Sequence, residues 1–83
     1  MQAKKGAAKK PESEAQLQLG QRVRRLREQR GWLQEGFAHE AGLGRSFAGA
    51  IERGEKDVRI STLIKLARSL GVSLAQLLKG IGS

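Results

Sequence analysis

Apolar residues recur along the chain at three- and four-residue spacing, which is the period of an amphipathic helix. Leu19, Val23 and Leu26 form the first series, and Ser13 with Gln16 predicts a capping box before it. The pattern predicts five short helices over about 13–30, 34–41, 45–53, 61–70 and 73–79, with Ser61 and Ser73 as caps of the last two. Because the β-branched alternation of strands is missing, the predicted fold class is all-α, with five helices around one core.

Composition excludes several kinds of protein. The chain has 83 residues, which suits one small domain, and it has no cysteine for a disulfide or a thiolate metal site. A single histidine, His39, predicts no metal centre, and no apolar run approaches the roughly 20 residues that span a bilayer. The basic N-terminus lacks the apolar segment of a signal peptide. We therefore expect a cytoplasmic protein without a cofactor, a metal or a membrane span.

The charge balance predicts a polyanionic partner. Sixteen Lys and Arg against eight Asp and Glu give a net charge of +8, which favours nucleic acid. Part of the excess lies in residues 1–12, which we interpret as a flexible basic arm carrying four lysines. This arm either touches DNA or is only a disordered start. Residues 13–80 form the predicted domain.

Residues 34–53 have the features of a helix-turn-helix unit. Ala38 is small where two helices must approach closely, and Gly42 suits a left-handed turn between them. The inward face of the unit is apolar, formed by Phe37, Ala41, Leu43, Ala48 and Ile51. The opposite face of the third helix, about 45–53, is then available to enter a DNA major groove.

Residues 20–79 resemble the XRE family of Cro and phage-repressor DNA-binding domains. The motifs that carry the resemblance are residues 19–27, the pattern Gln34…Phe37-Ala38…Ala41-Gly42-Leu43, residues 51–54, and residues 63–67 with 70–72. Residues 51–58 also resemble the controller proteins of restriction–modification systems. The resemblance implies a five-helix, lambda-repressor-like domain that binds double-stranded DNA, with a two-fold dimer on a palindromic operator. The chain departs from the family pattern at Leu33, Gly36, Gly44 and Ala48, and at Gly49 and Ala50, which we expect to leave the exposed face of the third helix nearly bare.

The candidate DNA contacts follow the helix-turn-helix pattern. By resemblance, Gln34 donates to a phosphate at the start of the second helix. Arg45 and Ser46 open the third helix, where Arg45 reaches either a guanine edge or a phosphate. Arg53, Lys56 and Arg59 are expected on the DNA backbone. The full candidate set is Gln34, Gly44, Arg45, Ser46, Phe47, Gly49, Ala50, Arg53, Lys56 and Arg59.

Two further groups have other predicted roles. The resemblance implies a structural ion pair between Glu52 and Arg27. A short fifth helix needs to bury less apolar surface than Leu77, Leu78 and Ile81 provide. We therefore predict that these residues form part of a homodimer interface, although Ile81 also fits simple core packing.

Two functions from different classes remain open at this point. The first is a sequence-specific transcriptional regulator, a repressor or controller that acts as a homodimer in the nucleoid. The alternative is an antitoxin-like protein-interaction module with the same fold, which a bare Gly49–Ala50 face favours. An enzyme is not predicted, because the carboxylates are scattered and no nucleophile pairs with His39. Too few aromatic residues are present for an RNA-stacking surface, and no small-molecule ligand is predicted.

Overall fold

The computed structural model describes residues 13–83, and the predicted basic arm, 1–12, lies outside this part of the chain. The described residues form five α-helices and no strand, so the all-α prediction is confirmed. The helices, numbered in chain order, are α1 (Glu14–Gln29), α2 (Gln34–Ala41), α3 (Arg45–Glu52), α4 (Ile60–Leu70) and α5 (Leu74–Leu78). Within the same residues no helix is long and apolar enough to span a membrane.

The helix ends largely follow the local sequence. The Ser13 hydroxyl accepts a hydrogen bond from the Gln16 amide N–H, and Ser73 forms a complete capping box with Gln76. Ser61 does not cap α4, contrary to the prediction. The helix begins one residue earlier, at Ile60, after an extended Arg59 whose side chain makes no cap hydrogen bond. Tertiary packing therefore sets this end of α4, because the local side chains contribute no cap.

The core is built from the apolar faces of all five helices. Its fully buried centre comprises Val23, Phe37, Ile51, Leu66 and Leu77. Leu77 is the buried residue of α5, and none of its surface is exposed. The prediction that Leu77 belongs to a dimer interface is therefore wrong: the chain itself buries this side chain.

α1 and α3 approach each other closely at Gly20. A β-carbon at this position would lie 2.5 Å from the carbonyl oxygen of Ile51 and 2.6 Å from that of Glu52. Because both contacts are to backbone atoms, a side chain here would force the two helices apart. The absent side chain of Gly20 thus determines how α3 lies against the rest of the domain.

Candidate nucleic-acid interface

A three-residue turn fixes α3 relative to α2. Gly42 ends α2 in the left-handed conformation, with a φ of 70°, and the Leu43 N–H donates to the Ala38 carbonyl at 2.8 Å. α3 then begins at Arg45, after an extended Gly44. Phe37, Ala41 and Ile51 bury the inner sides of both helices, so the N-terminal end of α3 faces outward. The turn and the buried faces together form the predicted helix-turn-helix unit.

A buried ion pair ties α1 to the C-terminal end of α3. The Arg27 guanidinium donates from Nε to Oε2 of Glu52 at 2.7 Å and from Nη2 to Oε1 at 3.1 Å. A third donor of Arg27, Nη1, bonds the Trp32 carbonyl at 2.8 Å. The hydrogen bonds to Glu52 raise the pKa of Arg27 above its ordinary value, against the opposing effect of burial. This pair is the one expected from the family resemblance, and its guanidinium stays charged at every physiological pH.

Gln34 joins this cluster from the first residue of α2. Its Nε2 donates to Oε1 of Glu52 at 3.0 Å, so one carboxylate receives hydrogen bonds from both α1 and α2. The Glu52 carboxylate is buried, whereas Gln34 is half-buried at the surface. The rotamer of Gln34 is therefore set by a structural ion pair beneath it.

The first residues of α3 are exposed. Arg45 and Ser46 both lie at the surface, and the Arg45 guanidinium donates from Nη1 to Oε2 of Glu35 at 2.7 Å. Both side chains of this pair are more than two-thirds exposed, so water and salt screen it. Arg45 is thus held at the start of the helix by a contact that a stronger acceptor can replace.

Phe47 lies at the side of α3 and packs half-buried against the core. With Ser46 and Arg53 it lines a shallow surface cavity of about 370 Å³, which Lys56 closes from the following loop. The cavity brings together an apolar ring, a hydroxyl, two cations and the Glu55 carboxylate. Hydroxyl and cationic side chains are the groups that bond phosphate oxygens of a nucleic-acid backbone.

Gly49 and Ala50 are buried, which corrects the expectation that they lie on a bare exposed face. A β-carbon on Gly49 would be 3.1 Å from Nη1 of Arg53 and 3.1 Å from Oε1 of Gln34, since both side chains lie over this glycine. Ala50 is 6% exposed, and the chain folds back beyond it so that the Glu55 N–H donates to its carbonyl. The side chains of Gln34 and Arg53 therefore cover Gly49, and Ala50 is buried beside it.

The remaining predicted cations surround the end of α3. Arg53 is exposed and donates from Nε to Oε2 of Glu55 at 2.8 Å. Hydrogen bonding to Glu55 raises the pKa of Arg53 above the ordinary value. Lys56 and Arg59 are exposed in the loop between α3 and α4. The structure thus brings Arg53 and Lys56 together along the Phe47 cavity, while Arg59 stands at the N-terminal end of α4.

Leu78 and Ile81 are half-buried and line a second surface groove of about 420 Å³. Val58 and Leu63 contribute further apolar surface to this groove, and Lys56 and Asp57 bring charges of both signs. Ile81 also packs against the core, as the alternative reading of this residue required.

The structure contains two side-chain contacts that local sequence patterns did not predict. Glu35 meets Arg45 although the two residues are ten apart in sequence and belong to different helices. Arg22 donates to the carbonyls of Gln76, Leu77 and Lys79, and so holds the C-terminal end of α5 against α1. Such pairs have no periodic signal, because they depend on how the helices pack.

Comparison with known proteins identifies the family of this fold. The helix-turn-helix family model matches residues 23–77. The chain is 36% identical over 67 residues to a Neisseria meningitidis protein named Neisseria hypothetical transcription factor, with 81% of this chain and 63% of that protein covered. It is 42% identical over 60 residues to control protein C.SmaI of Serratia marcescens, covering 72% of this chain and 71% of that protein.

Solved structures are similar over most of the domain. The restriction–modification controller protein C.AhdI from Aeromonas hydrophila matches with a TM-score of 0.71 and 39% identity, over 74% of this chain and 92% of that one. The biofilm regulator SinR, solved in complex with DNA, matches with a TM-score of 0.70 and 32% identity, over 74% of this chain and 98% of that one. The chain therefore belongs to the XRE-type helix-turn-helix family of DNA-binding transcriptional regulators, and its relatives include controller proteins of restriction–modification systems.

Proposed function

We propose that this chain binds double-stranded DNA sequence-specifically as a homodimeric transcriptional regulator, with α3 in the major groove. The observation that carries the proposal is the outward-facing start of α3. Arg45 and Ser46 are exposed there, while the other end of the helix is fixed to α1 and α2 through Glu52. A rigidly held helix end that presents an arginine is suited to reading base edges.

Arg45 is the proposed base-reading residue. Its partner Glu35 is exposed, and an exposed ion pair contributes only about 0–1 kcal/mol. A guanine that accepts two hydrogen bonds from the guanidinium contributes roughly 1–3 kcal/mol of discrimination. Arg45 therefore gains free energy when it exchanges Glu35 for a guanine edge. Ser46, next to Arg45, offers a second polar contact.

Gln34 and the cations around α3 are assigned to the phosphate backbone. Gln34 gives one amide hydrogen to Glu52 and keeps its second for a phosphate at the start of α2. Arg53, Lys56 and Arg59 add charge at the far end of α3. Neutralising phosphates releases counterions, so these residues supply affinity that is independent of sequence.

The small residues of α3 have a different proposed role. Gly44 allows the backbone at the start of the helix to approach DNA closely, and Phe47 offers an apolar contact beside it. Gly49 lies beneath Gln34 and Arg53 and contributes to the interface by leaving space for those two side chains, and Ala50 is buried beside it.

The proposed dimer forms through the groove lined by Leu78 and Ile81. The groove also contains the apolar side chains of Val58 and Leu63, so a two-fold axis through it would bury apolar surface of both copies. Two copies would then read half-sites of a palindromic operator about one helical turn apart. We place this activity at the nucleoid, in the cytoplasm.

Selection of bound sequences from random double-stranded DNA tests this function directly. We expect enrichment of a palindrome, followed by a gel shift whose affinity falls steeply with salt. Sedimentation of the complex then gives two chains per operator. Absence of an enriched sequence, or an affinity that does not change with salt, would refute the proposal. The antitoxin-like alternative has lost its specific support, because the Gly49–Ala50 face is covered.

A further inference from the structure

A surface cavity of about 460 Å³ lies where the end of α1 meets α2 and α4, and we call it the cationic cavity. Its lining includes three cationic side chains, a carboxylate, a tryptophan ring and a hydroxyl, namely Arg30, Lys65, Arg68, Glu40, Trp32 and Ser69. Three positive charges against one negative charge leave a surplus of two. The cavity shares no residue with the proposed DNA contacts or with the groove at Ile81.

Arg30 is held in place at this cavity. Its guanidinium carbon lies 4.9 Å from the centroid of the Trp32 ring, and Nη1 donates to the Leu70 carbonyl at 3.3 Å. Gly71 leaves room for this guanidinium, since a β-carbon there would lie 2.7 Å from Nη1. The contacts occupy one N–H group, so the other donors of Arg30 remain for a ligand. Because the rotamer is already restricted, a ligand would lose less conformational entropy on binding.

Lys65 and Arg68 line the same cavity from α4. Both are exposed and they are three residues apart on one helix, so their like charges repel. Within residues 13–83 neither forms an ion pair, and the same is true of Glu40 on α2. Arg68 favours the last turn of α4, but no contact of the fold accounts for Lys65. The carboxylate and the two cations thus share a cavity without pairing, and the space between them is open.

We propose that the cationic cavity binds a small phosphate monoester. Near neutral pH this group carries a charge of about −1.5 to −2, which matches the surplus of two positive charges. Guanidinium groups bond two phosphate oxygens at once, and the Lys65 ammonium adds a compact charge. A carboxylate or a phosphodiester has a single charge and would leave half of the surplus unneutralised. A planar ligand is a poorer match, because Arg30 already covers the Trp32 ring.

Trp32 is the single tryptophan of the chain, so its fluorescence reports binding at this cavity. Titration with methyl phosphate at constant ionic strength should change the emission in a saturable way, because the anion engages the guanidinium that lies on the ring. Dimethyl phosphate has the same central group with one charge fewer, and it should bind about tenfold more weakly. Equal responses to the two probes would overturn the proposal, as would a response that sodium chloride alone reproduces.

Lys65→Gln and Arg68→Gln test the cavity residues singly. Each variant should bind methyl phosphate about tenfold or more weakly, because one charge-assisted contact is lost. Arg25→Gln removes an exposed cation of α1 outside the cavity and is the matched control for net charge. Its affinity should stay within about twofold of the parent chain, because distant exposed charges are screened. Glu40→Gln should tighten binding, because a repelling carboxylate is removed from the cavity.

The control decides between the cavity and the overall charge of the chain. If Arg25→Gln weakens binding as much as Lys65→Gln, the attraction comes from the whole positive chain and the proposal is wrong. If Glu40→Gln binds methyl phosphate more weakly than the parent chain, the anion does not lie among these charges, and the proposal is wrong as well.

The outcome is separable from that of the proposed function. None of these residues is assigned to DNA, so Lys65→Gln and Arg68→Gln should bind the selected operator as tightly as Arg25→Gln in a gel shift. Random-sequence duplex DNA that displaces methyl phosphate, and that binds Arg68→Gln more weakly than Arg25→Gln, would assign the cavity to the DNA backbone and overturn the proposal. Saturable binding of methyl phosphate by a chain that selects no operator would still support it.

Discussion

Removing the Glu52 carboxylate should destabilise the domain more than any other single charge deletion in α3. In a Glu52→Ala variant the Arg27 guanidinium, whose side chain is 10% exposed, stays buried without its anion. Two hydrogen bonds from Arg27 and one from Gln34 are lost together. Breaking a buried pair in this way costs about 3–5 kcal/mol. A domain of 83 residues has a total stability of roughly 4–12 kcal/mol, so the variant should lose about a quarter or more of it and unfold at a clearly lower urea concentration.

Urea unfolding followed by circular dichroism measures this loss, and Trp32 fluorescence provides a second probe for a two-state transition. The matched control is Glu28→Ala, which removes the exposed partner of Arg24 and should cost no more than about 1 kcal/mol. A loss for Glu52→Ala as small as that of the control would refute the reasoning. It would mean that water reaches Arg27 and solvates its charge in the folded state.

A double variant separates the charge effect from packing. Arg27→Met with Glu52→Leu replaces both charges by apolar groups of similar volume, and this kind of exchange is often neutral or stabilising. The double variant should therefore be more stable than either Arg27→Met or Glu52→Leu alone. If the double variant loses as much as the two single variants added together, the cost lies in packing and not in an unpaired buried charge.

Further predictions concern the glycines and the α3 surface. Gly20→Ala should destabilise the domain by about 1–3 kcal/mol, because its β-carbon meets two backbone carbonyls, whereas Gly36→Ala should stabilise it by about 1 kcal/mol in the same urea unfolding assay. Equal effects of the two changes would contradict the close approach of α1 and α3. Arg45→Ala should weaken binding and relax preference at one base position, as read by competition among operator variants. Lys56→Ala should weaken binding to all sequences and reduce the salt slope by about one unit. Glu35→Gln should tighten operator binding in a gel shift, since it releases Arg45; a weaker complex would show that Glu35 positions Arg45 for its contact.

The sequence by itself determined the helices and the turn. Each helix follows from apolar residues at helical spacing between glycines, and the bounds of α2 in the structure are those predicted. Gly42 specified the left-handed turn because a residue without a side chain takes that conformation at no steric cost. The Arg27–Glu52 ion pair could also be predicted, from the resemblance of residues 19–27 and 51–54 to a known family. These features depend on local backbone preference or on a repeated motif.

Tertiary structure alone decided which side chains cover which. Periodicity shows the apolar face of α3, but it does not show that Gln34 and Arg53 lie over Gly49. It also does not show that Leu77 of α5 is fully buried in the core. The pairing of Arg45 with Glu35 likewise depends on the angle between α2 and α3. Long polar side chains form defined contacts only after the helices have packed, because each of these side chains has many rotamers of similar energy in the isolated helix. The sequence therefore does not reveal the relative placement of the helices, on which the α3 surface depends.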